Sequence, residues 1–81
     1  MDKSVVLAVG DSLRLGLLKG SIVYAGMPSD SVYSIVQTKT RGYRGFAWNL
    51  FLPSTTSELT IGGVRIYVEN ATPDAITLRI G

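Results

Sequence analysis

One segment gathers the residue types that recognise anions and flat rings. Residues 38–49 read Thr-Lys-Thr-Arg-Gly-Tyr-Arg-Gly-Phe-Ala-Trp-Asn and carry three of the eight Lys and Arg side chains and three of the seven aromatic residues. Guanidinium forks match phosphate oxygens, and aromatic faces stack on bases. Gly42 and Gly45 let the backbone come close to a ligand. Lys39, Arg41, Tyr43, Arg44 and Trp48 are therefore the candidate ligand-binding residues, with RNA, single-stranded DNA or a nucleotide as the matching chemistry. The same pattern also suits a solvated hairpin loop whose arginines aid solubility. Phe46 and Trp48 stand two apart, so they share one side of a strand, and this spacing favours the core for both.

Other chemistry is poorly supplied. The chain has no cysteine and no histidine, which removes thiol nucleophiles, the usual metal ligands and the usual neutral-pH base. Asp11, Asp30 and Asp74 fall in expected turns, where an Asp side chain caps backbone amides. The serines and threonines have no base beside them. The expectation is a protein that is not an enzyme, with no cofactor and no metal. Asn49 interrupts an apolar stretch, so it needs a hydrogen-bond partner if buried, or else faces ligand or solvent.

These residues must be held by a small scaffold. The 81 residues are 46% hydrophobic and 17% charged with a net charge of +2, a composition that excludes intrinsic disorder and permits anionic partners. The apolar runs fall far short of the ~20 residues of a membrane helix. No leader is evident, so the expected location is cytoplasmic, without a membrane partner. A chain this short buries only about 60% of its unfolded surface. With no disulfides available, the remaining device is association, and a homo-oligomer is expected. The alternative is a compact monomeric barrel.

The elements are strands. Val5–Val9 ends at Gly10-Asp11. Leu13, Leu15 and Leu17 alternate with polar or small residues, as do Val64, Ile66 and Val68, and Ile76, Leu78 and Ile80, which is the period of a half-buried strand. These nine residues are the expected inward-facing set. Ile22–Tyr24, Val32–Val36 and Phe46–Leu52 are rich in branched and aromatic side chains. The fold class is all-β: a small barrel or sandwich of roughly seven to eight short antiparallel strands in a single domain, residues 1–81. A short helix at 54–59 is the one competing element.

An internal echo runs through the chain. Ser12–Gly16, Gly20, Val23-Tyr24 and Pro28–Val32 are followed later by Glu58–Gly62, Gly63, Ile66-Tyr67 and Thr72–Ile76. Two readings are open: two pseudo-repeated three-strand units, aligned here on Tyr24 and Tyr67, or an ordinary meander that resembles itself.

The last third, Ser57-Glu58-Leu59-Thr60-Ile61-Gly62-Gly63-Val64-Arg65-Ile66-Tyr67-Val68 and then Asp74-Ala75-Ile76-Thr77-Leu78-Arg79-Ile80-Gly81, resembles the carbon storage regulator family. The resemblance covers residues 57–81 only. It implies a small intertwined β dimer that binds messenger RNA around GGA loops. Ser57 stands where the family has glycine, the family's basic RNA contact would fall beyond Gly81, and residues 1–50 have no counterpart in it. No RNA-contact residue carries over.

Together these features point to a non-catalytic binding module for an anionic ligand, RNA or single-stranded nucleic acid first. One alternative is a homo-oligomer that sequesters a small phosphorylated ligand such as a nucleotide signal, as a phage-type inhibitor of host defence would. Another is a protein-binding structural or inhibitor subunit that pairs through its strand edges. Arg65 and Arg79 project away from the apolar face on adjoining strands and form a secondary candidate site.

Overall fold

The computed structural model describes residues 4–16, 20–41 and 44–80. Every regular element among them is a strand: β1 (Ser4–Ala8), β2 (Ser12–Gly16), β3 (Gly20–Ser29), β4 (Val32–Arg41), β5 (Arg44–Pro53), β6 (Glu58–Ile61), β7 (Val64–Ala71) and β8 (Ala75–Ile80). They form two four-stranded antiparallel sheets, ordered β1-β8-β7-β6 and β2-β3-β4-β5. The sheets face one another as a sandwich rather than closing into a barrel. Residues 54–57 are turn and coil, so the competing helix does not form.

Alternation decides what lies between the sheets. Leu7, Ile22, Tyr24, Tyr33, Ile35, Ile61, Val64, Ile66, Ile76 and Leu78 make the core. Four of the nine expected inward residues are in it. Leu13, Leu15, Val68 and Ile80 pack against it partly buried, and Leu17 lies outside the described residues. Two tyrosines of one sheet tie it to chain connections, one between β7 and β8 of the other sheet and one between β5 and β6, where the chain crosses from sheet to sheet. The Tyr24 hydroxyl donates to the Thr72 carbonyl at 2.5 Å, and the Tyr33 hydroxyl to the Thr56 carbonyl at 2.7 Å. A wholly buried hydroxyl needs such a partner.

The turns follow their residues. Gly62 and Gly63 both have positive φ, 59° and 81°, as a two-residue hairpin turn between twisted strands requires. Asp11 caps its turn as expected, accepting the Ala8 amide at 3.0 Å. At the turn containing Asp74 the cap is Thr72 instead, whose hydroxyl oxygen accepts the amides of Asp74 and Ala75.

The two sheets share one plan. In one, Ile22 stands opposite Leu13 and Gln37, Tyr24 opposite Ile35, and after a bulge Gly26 opposite Ser34. In the other, Ile66 stands opposite Leu59 and Ile80, Val68 opposite Leu78, and after a bulge Asn70 opposite Thr77. The fourth strands match too. Leu50 and Leu52 of β5 face Ile35 and Tyr33, as Val5 and Leu7 of β1 face Leu78 and Ile76. So β1–β4 repeats in β5–β8, and each half lends its first strand to the sheet of the other half. The match aligns Tyr24 with Val68, not with Tyr67. Tyr24 points into the core, whereas Tyr67 points out with Arg65 and Arg79.

Candidate nucleic-acid interface on the β4–β5 hairpin

The strand expected from Phe46 begins earlier, at Arg44, and Arg41, expected on the loop, ends β4. β4 and β5 pair residue by residue from Val32 opposite Pro53 to Arg41 opposite Arg44, with no register shift. Alternating branched, polar and aromatic residues with no internal proline suit such a ladder. The second sheet buries only part of this hairpin.

Phe46 and Trp48 show the consequence. They share a face with Leu50 and Leu52, as their spacing requires, but they are 44% and 46% exposed. The expectation of core burial is corrected here: the face is the inner one, yet among the described residues no strand of the opposite sheet packs closely enough there to bury the two rings. Their rings stack on each other, with centroids 5.9 Å apart and planes 13° from parallel. Lys39, directly opposite Phe46 in the ladder, is exposed on the same face. Arg41 and Arg44 face each other at the end of the ladder. Their side chains, and Tyr43 altogether, lie outside the described residues. Asn49 is exposed on the opposite face of β5, so it needs no buried partner.

Arg65 and Arg79 lie on the outer face of the other sheet. The Arg65 Nε sits 3.2 Å from the Glu58 carboxylate, and its guanidinium is held even more firmly protonated by a hydrogen bond with Tyr67 and by the Glu58 charge. The Arg79 guanidinium lies 4.9 Å from the centre of the Tyr67 ring, a cation–π contact. Glu69 accepts a hydrogen bond from the Ser4 hydroxyl on the same face. Two arginines here stand among two glutamates, so this face is mixed in charge rather than a basic stripe.

Sequence reasoning singled out this segment but expected its aromatic pair in the core, whereas both rings are exposed. Phe46, absent from the expected ligand set, joins Trp48 and Lys39 in the exposed cluster. Its signal was present in the i, i+2 spacing with Trp48. Neither a scan against family models, nor a search of curated proteins, nor a search of solved structures found a match for this chain.

Proposed function

We propose that the chain is a non-catalytic module that binds single-stranded nucleic acid, RNA first, along the inner face of the β4–β5 hairpin. The observation that carries this reading is the exposed Phe46–Trp48 stack with Lys39 across the ladder. Flat rings offer a base a stacking surface worth about 1–3 kcal/mol per base, and a neighbouring ammonium serves the phosphate. Arg41 and Arg44 at the hairpin end extend the positive charge along the same strand pair. An open strand face suits an extended chain better than a small phosphorylated ligand, which binds in an enclosing cleft. The resemblance of residues 57–81 to the carbon storage regulator family favours RNA in the same way.

The test is binding of a labelled single-stranded RNA measured by anisotropy across a salt series. Trp48→Ala should weaken binding by about 1–3 kcal/mol with the salt slope unchanged, because stacking releases no counterions. Lys39→Ala should flatten the slope by about one unit. The Arg65→Ala/Arg79→Ala double variant should bind like the parent. Loss of binding in that double variant alone would move the site to the other sheet. Binding unchanged in every variant would move the site off both faces, and a parent chain that does not bind RNA at all would remove nucleic acid as the ligand and favour a protein partner.

A further inference from the structure

We infer that β5 is a self-association edge, and that a second copy of this chain pairs with it antiparallel to join two β2-β3-β4-β5 sheets into one. This inference does not rest on the ligand. A strand at a sheet edge presents unpaired N–H and C=O groups, and proteins guard such edges by shortness, bulges, charges or proline. Three of the four edges here are guarded or short. β6 has four residues and carries Glu58; β2 has five, a bulge and Arg14; β1 has five. β5 has ten residues in unbroken register with β4, and its charge and its proline, Arg44 and Pro53, stand only at its two ends, so residues 45–52 between them carry neither. Its counterpart in the other half, β1, is half as long.

The sequence of β5 fits its own antiparallel copy. Residues 45–53, Gly-Phe-Ala-Trp-Asn-Leu-Phe-Leu-Pro, carry no charge. Pairing Asn49 with Asn49 of a second copy places Trp48 opposite Leu50, Phe46 opposite Leu52 and Ala47 opposite Phe51. The three pairs flanking the central Asn49–Asn49 pair are then apolar, and residues directly opposite share a face, as cross-strand stabilisation requires. Arg44, the one charge on the strand, goes to opposite ends of the ladder. A parallel arrangement would bring the two Arg44 residues side by side. Phe46, Trp48 and Phe51 are three of the five exposed large hydrophobic residues in the molecule's described part.

The protomer exposes 5326 Å², more than the about 4,700 Å² of an average compact monomer of 8.7 kDa, as a molecule with an uncovered edge strand does.

Sedimentation equilibrium of the full chain at micromolar concentration tests the inference. The expected species is a dimer. Asn49→Lys and Ala47→Lys, both at exposed positions, should each give a monomer with an unchanged far-ultraviolet spectrum. Val6→Lys, on β1, should leave the dimer intact. Asn49→Cys, the only cysteine then present, should form a covalent dimer on mild oxidation. A parent chain that stays monomeric overturns the inference. So does a dimer that survives both lysine variants, or an Asn49→Cys chain that never cross-links. RNA binding with a monomeric parent would leave the proposed function standing and remove only this interface.

Discussion

Tyr33, wholly buried on β4, reaches across the sandwich to hold the carbonyl of Thr56 in the β5–β6 connection at 2.7 Å. Tyr24 does the same for Thr72 between β7 and β8. Burial raises the ionisation of both phenols above 10.0, with Tyr24 adding to the effect at Tyr33 and Asp74 at Tyr24. The unfolded chain therefore loses these protons before the folded one does. The contribution of these two phenols to stability is complete below about pH 10 and is lost as pH rises above that value. Denaturant titrations should show this alkaline loss in the parent and a flatter curve in Tyr24→Phe/Tyr33→Phe. At neutral pH each single Phe variant should cost about 0.5–1.5 kcal/mol for its lost hydrogen bond.

Leu78 is 0% exposed and stands between Val5 and Val68 in the ladder. Leu78→Ala should cost about 2–5 kcal/mol, as large-to-small core changes do. Urea unfolding measures this. A neutral result would mean that the sheet carrying β8 packs in another register.

Gly20 has φ +80°, and a Cβ built on it would stand 2.2 Å from the backbone carbonyl oxygen of Thr38. That atom belongs to the β3–β4 ladder and cannot swing aside. Gly20→Ala should thus cost more than the roughly 1–2 kcal/mol of a left-handed backbone alone. Gly63→Ala, at a similar φ of +81° but with nothing within 4 Å, should cost only that strain. The difference between the two melting temperatures isolates the close contact.

Trp48 is the single tryptophan, so fluorescence reports on the hairpin alone. The folded protein should already emit at a solvated wavelength, and a single-stranded RNA should quench it by stacking. A short-wavelength emission indifferent to RNA would place the indole in a buried site.

The strands were readable because side-chain alternation is local. The faces of β7 and β8 followed directly from Val64, Ile66, Ile76 and Leu78. What alternation cannot supply is the extent of the opposing layer. Phe46 and Trp48 were assigned to the inner face, and they are on it, but burial there depends on strands distant in sequence that do not pack closely enough to bury them. The repeat shows the same limit from another side. Aligning the halves on their tyrosines gives a one-residue slip, which turns an inward position outward. Only the pairings of Ile22 and Ile66 fix the true alignment. The exposed cluster was half visible: residue type marked Lys39 and Trp48, but Phe46 joined them only once the exposed end of the hairpin was known.

The lending of β1 and β5 across the two halves also bears on how the molecule comes apart. Neither half holds a finished sandwich, because each lacks the strand that the other keeps. A backbone cut between Arg41 and Arg44 would therefore not release two domains. It would give a complementation pair, two fragments that fold on meeting and stay bound by every hydrogen bond of the β1–β8 and β4–β5 ladders.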